Sequence, residues 1–412
     1  MQDNEKKPAL RFKGFTDPWE QRKISELAEK TYGGGTPTTS NETFWNGNIP
    51  WIQSSDIVDG KLMGVEPRKY ITQTGLNSSA TQLVPKNSIA IITRVGVGKL
   101  AYMPFSYSTS QDFLSLSKLN TEPFFTVYAC YKKLQSELNT VQGTSIKGIT
   151  KDELLAKTIS VPVYSEQKQI GSFFAQLDTL ITLHQRKYEK LVNIKKSMLN
   201  KMFPQNGASV PEIRFKDFTD PWEQRKLGEI AVEKLSNGVM NHPASNATGV
   251  RHINVINMYT PDKIHLEDLT FSSYDGDVIQ KCNVEIGDIF LTRSSLKPEG
   301  IAEANVLLDD GRFIYDDHLI RLKINKNEYV PLFVKINLGV PFIKVQFISK
   351  SKTTAFTTIG QDDISECVGL FPEKEEQQKI AIFFHNLNTL ITLHQREHIK
   401  SILEVKRVKR NE

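Results

Sequence analysis

The chain has 412 residues, and its content of 39% hydrophobic and 24% charged residues is that of a folded globular protein rather than a disordered one. The excess of Lys and Arg over Asp and Glu, 52 against 47, permits an anionic partner such as nucleic acid but does not require one. The three cysteines lack the paired spacing of zinc sites and dithiol centres, and no apolar run is long enough for a signal peptide or a membrane span. These observations predict a cytoplasmic protein of two or three domains with no membrane partner.

A motif near the N-terminus recurs in the second half of the chain, and this repeat predicts the architecture. Residues 11–23 read RFKGFTDPWEQRK, and residues 214–226 read RFKDFTDPWEQRK. A second pair of matching segments reads EQKQIGSFFAQLDTLITLHQR at 166–186 and EQQKIAIFFHNLNTLITLHQR at 376–396. The period is far too long for a solenoid, so the pattern indicates two copies of one frame around two divergent inserts.

The first copy opens with an Asp-Pro-Trp turn at 17–19, which we interpret, like its counterpart at 220–222, as leading into a buried tryptophan. The insert that follows shows a strand pattern at Ile89–Thr93 and helical spacing at Phe124–Leu138. Between them, Arg94–Lys99 combines two glycines with two basic residues. This segment fits either a flexible loop that approaches a sugar-phosphate backbone or a simple hairpin turn.

A long helix comes next. Ser165 can cap its start and Pro204 stops it, so we predict a helix from Glu166 to Phe203, a rod of roughly 55 Å at the usual rise per residue. Apolar residues three or four apart form a seam along it, consisting of Ile170, Phe173, Leu177, Leu180, Leu191, Ile194 and Met198. A parallel stripe widens the predicted buried face and consists of Phe174, Ile181, Tyr188 and Met202.

The second insert shows the same mixture of elements. Strands are predicted at Val284–Thr292 and His318–Ile324, and a helix is predicted at Tyr329–Leu338.

Correspondence between the two inserts is faint. Gly148–Asp152 aligns with Thr358–Asp362, and Ile91–Arg94 aligns with Phe290–Arg293. A near-identical frame around such divergent inserts indicates one scaffold that presents two different surfaces.

The last helix starts after Pro372 and carries a matching seam, formed by Ile380, Phe383, Leu387, Leu390, Ile399, Ile402 and Val405. Neither helix hides its seam alone, so we predict that the two pack as an antiparallel coiled coil with one insert at each end. The predicted fold class is α+β, with two tandem α/β domains, two long helices and a pseudo-two-fold internal repeat. The predicted segments are 1–164 and 206–372 for the globular domains, and 165–205 and 373–412 for the spacer helices.

The sequence lacks recognisable catalytic motifs. The Asp-Pro-Trp strings lack the second proline of the tetrapeptide with which amino-methyltransferases grip a flipped base, and residues 93–99 fail as a nucleotide-binding loop at both ends. His394–His398 matches the H-x-x-E-H zinc pattern, but the first half has neither the Glu nor the second His. We therefore interpret these histidines as helix-packing residues and predict a non-catalytic chain without a metal site or cofactor of its own.

Tandem halves that open with FTDPWEQRK-like residues and close with EQKQI, FF and LDTLI in this order resemble the specificity subunit of type I restriction-modification systems. The resemblance covers the whole chain. It implies that residues 24–163 and 227–371 are target recognition domains, each reading one half of an asymmetric, bipartite site in double-stranded DNA.

The resemblance also implies partners. The repeated helices would form a conserved spacer that docks two methylation subunits, and the complex would methylate adenine. Restriction subunits would then cut unmodified DNA, so S-adenosylmethionine, ATP and Mg²⁺ are expected on partner subunits and not on this chain. Half-sites one helical turn apart, roughly 34 Å, suit a rod of the predicted length.

Base reading favours Arg, Lys, Asn and Gln, whereas phosphate binding favours Lys, Arg, Ser and Thr beside glycine. On that basis the candidate DNA-binding residues of the first domain are Gln53, Ser54, Arg94, Lys99 and Lys147. Those of the second domain are Arg251, Asn254, Asn257, Arg293, Ser294, Lys297 and Lys352. Each is also compatible with an ordinary solvated loop residue. Arg94 and Arg293 form the best pair because each follows an apolar strand at an apparently matching position.

Two other functions remain open at this point. An enzyme with diverged motifs would transfer methyl groups from S-adenosylmethionine without any partner. A structural coiled-coil adaptor would make no DNA contact, so any apparent DNA binding would be insensitive to salt.

Overall fold

The computed structural model describes residue 8 and residues 10–140, 148–205, 207–245 and 248–411. The chain divides into two compact units. Unit 1 consists of Met1–Gln185 and Arg396–Glu412, and unit 2 consists of Arg186–Gln395.

Unit 1 contains the first nine strands and the first helices. Its strands are β1 (Glu20–Lys23), β2 (Ala28–Gly33), β3 (Trp45–Ile52), β4 (Lys69–Ile71), β5 (Ser88–Ile92), β6 (Leu100–Met103), β7 (Ser108–Thr109), β8 (Phe113–Leu119) and β9 (Thr158–Val161). Its helices are α1 (Gln73–Asn77), α2 (Pro123–Thr140), α3 (Lys151–Ala156) and the first part of α4 (Tyr164–Lys201).

Unit 2 contains the remaining elements. Its strands are β10 (Glu223–Lys226), β11 (Ser236–Asn237), β12 (Val250–Ile253), β13 (Thr270–Ser272), β14 (Ile289–Thr292), β15 (Ser294–Ser295), β16 (Ala304–Val306), β17 (Phe313–Tyr315), β18 (Leu319–Leu322), β19 (Lys352–Thr353), β20 (Thr357–Thr358) and β21 (Val368–Phe371). Its helices are α5 (Leu227–Ile230), α6 (Gly276–Cys282), α7 (Pro331–Leu338), α8 (Pro341–Lys350), α9 (Gln361–Ser365) and most of α10 (Lys374–Asn411).

The two units share one sheet topology although their inserts barely match in sequence. The four-stranded sheet has the order β2-β8-β5-β6 in unit 1 and β11-β18-β14-β16 in unit 2. The three-stranded sheets, β4-β3-β7 and β13-β12-β17, each pair the middle strand antiparallel on one side and parallel on the other. The predicted α+β class and internal repeat are therefore confirmed.

In each unit the four-stranded sheet is buried on both faces. Ile89 and Ile91 of β5 pack with α2, whereas Ala90 and Ile92, which alternate with them, pack with the three-stranded sheet. The central strand therefore reads as a continuous apolar run, as strands covered on both faces do. In unit 2, β14 divides its side chains between two cores in the same way.

The repeated motifs are bound to each other within each unit. β1 pairs antiparallel with β9, and β10 pairs antiparallel with β21. Arg11 donates two hydrogen bonds to Glu166, at 2.7 and 2.8 Å, and Arg214 donates two to Glu376, both at 2.8 Å. The two conserved segments of each half are thus parts of one interlocked base, which explains why they recur together.

The long helices pack together and run antiparallel. In unit 1, His398 Nδ1 of α10 lies 3.3 Å from the carbonyl oxygen of Ile181 in α4. In unit 2, Phe203, just beyond the end of α4, packs against Ile380 and Phe384 near the start of α10. Helix α4 begins at Tyr164, so Ser165 lies in its first turn instead of capping it.

The predicted seam of the long helices is covered only in part: Leu177, Ile380 and Leu387 are buried, whereas Leu180 and Leu390 are 45% and 44% exposed. Phe174 and Phe384 are buried, whereas the predicted seam residue Phe173 is 36% exposed. The neighbouring domain decides which face is covered, since Tyr128 of α2 packs against Phe174 with ring centroids 5.1 Å apart. Apolar periodicity alone predicted the helices and a buried face that contains both Phe173 and Phe174, but not which of the two is covered.

A local turn shortens the first predicted strand of unit 2. The pattern at Val284–Thr292 predicted a strand, but β14 starts only at Ile289. The preceding residues form a turn in which Glu285 N–H donates to the Asp288 carboxylate at 3.0 Å.

Among the described residues, no single helix has the length and apolar content to cross a bilayer. Helices α7 and α8 reach that limit only as a pair, and they are bent by 63° where they meet. Phe333 of α7 and Ile343 of α8 are fully buried in the core of unit 2.

Candidate nucleic-acid interface

In unit 1, backbone hydrogen bonds join several strand ends into one line. Ser110 N–H donates to Ile52 O at 2.9 Å, Thr93 N–H donates to Asp112 O at 2.7 Å, and Ile149 N–H donates to Thr93 O at 2.7 Å. We call this line of strand ends and loops the polar edge of unit 1. It brings the candidates Gln53, Ser54 and Arg94 to one side of the unit, because they directly follow β3 and β5.

Unit 2 has a polar edge with the same bonding pattern. Asp316 N–H donates to Ile253 O at 3.0 Å, Arg293 N–H donates to His318 O at 2.8 Å, and Ile359 N–H donates to Arg293 O at 3.1 Å. The candidates Asn254 and Arg293 lie on this edge. Equivalent backbone positions therefore carry different side chains in the two units.

The matching hydrogen bonds correct one sequence alignment. They make Arg293 the counterpart of Thr93, whereas the sequence aligned Arg293 with Arg94. Burial agrees, because Ile91 and Leu291 both face the helix-covered core. A slip of one residue reverses which face a strand residue occupies, so Arg94 and Arg293 are both exposed but not equivalent. The other alignment, of Ile149 with Ile359, is confirmed.

The turn after the middle strand of each three-stranded sheet starts at a half-buried candidate, Gln53 or Asn254. The Asn254 amide already donates to His252 O at 3.0 Å and to Thr270 Oγ1 at 2.7 Å inside the unit. Gln53 N–H donates to the Asp56 carboxylate at 3.0 Å, and Asn254 N–H donates to Asn257 Oδ1 at 2.7 Å. Asn257 is fully buried, and its amide also donates to Asp268 O at 3.2 Å. Asn257, a predicted DNA contact, is therefore a scaffold residue like Asp56, since its hydrogen-bonding groups are used inside the unit.

A small sheet, β15-β20-β19, brings two further candidates of unit 2 together. Ser294 and Lys352 both pair with Thr358, one on each side. Side chains alternate across a strand, so these three point to one face, while Thr357, 1% exposed, points to the other. An ammonium group and two hydroxyls on one face are the groups that bind phosphate oxygens.

The basic glycine segment of unit 1 is a hairpin turn. It joins β5 to β6, and Ile92 N–H donates to Lys99 O at 2.9 Å. Gly98 has φ +91°, and a Cβ there would lie 2.3 Å from Leu138 Cδ1 of α2. The second glycine is thus required by backbone geometry and by packing, while Arg94 remains exposed at the start of the turn.

The remaining candidates are dispersed. Lys147 lies outside the described residues. Arg251 lies within β12, half-buried, and its Nε is buried without a hydrogen-bond partner. Lys297 is exposed in the loop after β15, and Lys99 is half-buried at the end of the hairpin.

Sequence reasoning missed the segments that form the middle of both edges. Thr36 Oγ1 donates to Gln111 Oε1 at 2.6 Å in unit 1, and the turn Asp316–His318 holds the same place in unit 2. The glycine run before Thr36 was a usable signal, since a Cβ on Gly34 would lie 1.8 Å from Ser110 O.

Among the described residues, that same Asp316–His318 turn is the one cluster with metal-ligand spacing.

A buried hydrogen-bond chain supports the edge of unit 2. His252 Nδ1 lies 2.6 Å from Ser272 Oγ, and Ser272 Oγ donates to Asn241 Oδ1 at 2.6 Å. The hydroxyl has one proton, so the His252 Nδ1–H donates to Ser272. Burial lowers the pKa of His252, against the opposing effect of nearby Asp316, and so favours this neutral form. Asn241 Nδ2 in turn donates to Asn254 Oδ1 at 3.4 Å.

A comparison with known protein families agrees with this architecture. Residues 16–193 match the family model of the type I restriction modification DNA specificity domain. The predicted resemblance to type I restriction-modification specificity subunits is thereby confirmed.

Known relatives carry the same description. The chain is 27% identical over 233 residues to the specificity subunit of the type I restriction enzyme MjaIX of Methanocaldococcus jannaschii. This match covers 53% of each protein. It is 30% identical over 199 residues to the EcoR124I/EcoR124II specificity subunit of Escherichia coli, which covers 44% of this chain and 48% of the relative. The matched segments thus span about half the length of these relatives.

A solved structure has the same fold. It is the crystal structure of a type I restriction-modification S subunit from M. genitalium, with a TM-score of 0.61, 14% identity and coverage of 98% of both chains. At this identity the likeness establishes the fold.

Proposed function

We propose that this chain is the DNA sequence-specificity subunit of a type I restriction-modification complex, with each unit reading one half of a bipartite target. The observation that carries the proposal is the polar edge, built twice on the same backbone hydrogen bonds with different side chains. Such duplication suits a protein that needs one docking geometry and two base sequences. Arg293, Gln53 and Arg94 are the side-chain types that read base edges in the major groove.

Catalysis belongs to partner subunits in this proposal. Methylation subunits bind S-adenosylmethionine and methylate adenine, and restriction subunits use ATP and Mg²⁺ to cut unmodified DNA. The chain contributes target choice and assembly.

The exposed apolar residues of the long helices support docking of two methylation subunits. In the unit 1 parts of α4 and α10 they are Leu180, Leu183, Ile399 and Leu403, each at least 44% exposed. In the unit 2 parts they are Ile382, Leu390 and Leu393, again at least 44% exposed. Apolar side chains grouped on helix faces in this way mark protein interaction surfaces.

Mapping methylated adenines across the genome, with and without this chain, tests the function directly. We expect one bipartite motif to lose methylation when the chain is removed. Methyl transfer by the purified chain alone would instead identify an enzyme, and DNA binding that is insensitive to salt would favour an adaptor.

Single substitutions at the edge assign each half of the motif to a unit. We expect Arg293→Ala to weaken binding by about 1–3 kcal/mol and to relax specificity in one half-site only, because a bidentate contact to a base edge is lost. Arg225→Ala is the matched control, since Arg225 is an exposed arginine of unit 2 on β10, paired with Glu223 and away from the edge. Unchanged affinity of the Arg293 variant for the mapped target would remove this residue from the interface.

A further inference from the structure

The small sheet β15-β20-β19 of unit 2 ends in two exposed apolar side chains. Leu296, directly after β15, is 80% exposed, and Phe356, directly before β20, is 52% exposed. The ladder pairs Ser294 with Thr358 and Ser295 with Thr357, so the next pair in this register is Leu296 with Phe356. The turn is closed by Thr354 N–H, which donates to Phe356 O at 3.0 Å.

These two side chains share a face with the polar row of the same sheet. Leu296 and Phe356 each lie one residue beyond the last ladder pair, and continued alternation assigns them to the side that carries Ser294, Thr358 and Lys352. One face of the sheet therefore presents an apolar tip beside a row of hydroxyl and ammonium groups.

The surroundings of this face favour an anionic occupant. Arg293 precedes β15, Lys297 follows Leu296 and Lys350 precedes β19, and all three side chains are exposed. Glu299 is the exposed acidic residue of the same loop. Such a face matches a nucleic-acid backbone beside a base step. The cationic and hydroxyl groups would bind phosphates, and the apolar tip would contact the stacked bases.

We propose that Leu296 and Phe356 form an apolar wedge that enters the DNA duplex at the half-site read by unit 2 and unstacks one base step. This inference rests on the proposed function. Apolar side chains that enter between base steps kink the duplex, and the cost of unstacking is offset by the additional surface that the bent DNA contacts. The wedge thus makes the deformability of one step part of the target, beyond the bases that the polar edge reads.

The test uses the full chain, copurified with the methylation subunits of its own genome. Its target duplex is first recovered from a random-sequence pool, and 2-aminopurine is then placed at successive positions of the unit 2 half-site other than the methylated adenine. We expect the wild-type complex to raise fluorescence at one step. Phe356→Ala and Leu296→Ala should each lower that rise at least fivefold, and Phe356→Ala should weaken binding about tenfold, the effect of losing one aromatic stack.

Two variants separate the wedge from folding defects. Phe356→Trp should retain the fluorescence rise because it keeps an aromatic ring at the tip. Val232→Ala should behave as wild type: Val232 is 57% exposed in the same unit, but it lies beside Lys323 at the other end of β18 from the polar edge.

Three results overturn the proposal. Phe356→Ala with undiminished fluorescence and affinity would leave the proposed function standing and remove the wedge. Normal DNA binding by Phe356→Ala with loss of the methylation subunits would assign the face to a protein partner. A wild-type complex that recovers no duplex from the pool would overturn the proposed function and the wedge together.

Discussion

Replacing Glu376 with Gln tests the ion pair that holds the start of unit 2 to helix α10. Arg214 Nε and Nη2 donate to the two carboxylate oxygens of Glu376, both at 2.8 Å, and the glutamate side chain is 1% exposed. The bonds to Glu376 raise the pKa of Arg214 above its usual value despite partial burial. Arginine remains protonated in proteins even without such a partner, so the guanidinium stays charged in the variant.

The expected loss of stability depends on the hydrogen bonds that the Arg214 guanidinium keeps in the variant. Breaking a buried pair by removing one charge costs about 3–5 kcal/mol, because the remaining charge is left uncompensated. Gln retains one acceptor oxygen and so keeps one of the two hydrogen bonds. We therefore expect unit 2 to lose about 3 kcal/mol of stability, the lower end of that range.

Hydrogen exchange measured by mass spectrometry reads each unit separately. A loss of about 3 kcal/mol should accelerate exchange in β14 and β18 by about a hundredfold if these strands exchange through unfolding of unit 2. Glu166→Gln is the matched control, because it removes the equivalent partner of Arg11 in unit 1 and should act on β5 and β8 instead. Acceleration of exchange below fivefold would refute the reasoning. So would an Arg214→Met, Glu376→Met double variant that is no more stable than the Glu376→Gln variant.

Three further predictions concern buried groups. Asn257→Ala should lower the stability of unit 2 by about 2 kcal/mol in thermal unfolding, since it leaves two backbone partners unsatisfied; a weaker DNA complex with unchanged stability would contradict the scaffold role. Burial lowers the pKa of Lys335 to about 8. Between about pH 8 and the usual pKa of 10.5 the unfolded state therefore binds more protons than the folded state, so the stability of unit 2 should rise with pH across that window. Lys335→Met should abolish the rise and stabilise unit 2 at pH 7. Burial raises the pKa of Cys130 to about 12, and a thiol reagent at pH 8 should therefore label it only at the rate of unfolding.

The frame of this protein was predictable because its two copies preserve the residues that bind each other. Arg11 and Glu166 recur as Arg214 and Glu376, and each pair joins the two matching segments of its half. The sequence showed both segments without showing that they touch. The central strand β5 was equally predictable, since burial on both faces demands an unbroken apolar run.

The sequence predicted only in part which of the candidate DNA-binding residues lie together in the fold. Ser294 and Lys352 are far apart in the chain and become neighbours through Thr358. The Asn257 amide could hydrogen-bond adenine, but it is buried and its hydrogen bonds are made within a turn. No rule based on a single residue distinguishes a candidate that stays at the edge from one that is used inside the fold.

By itself, the sequence determined that there are two frames, that long helices follow them and that the inserts differ, because these properties are written in local periodicity and in direct repetition. Only the tertiary structure decided that Arg293 matches Thr93, that Phe174 is buried in preference to Phe173, and which polar side chains remain free at the edge. The physical reason is that each of these depends on hydrogen bonds and packing between segments distant in the chain, and such contacts leave no mark on the local pattern of any one segment.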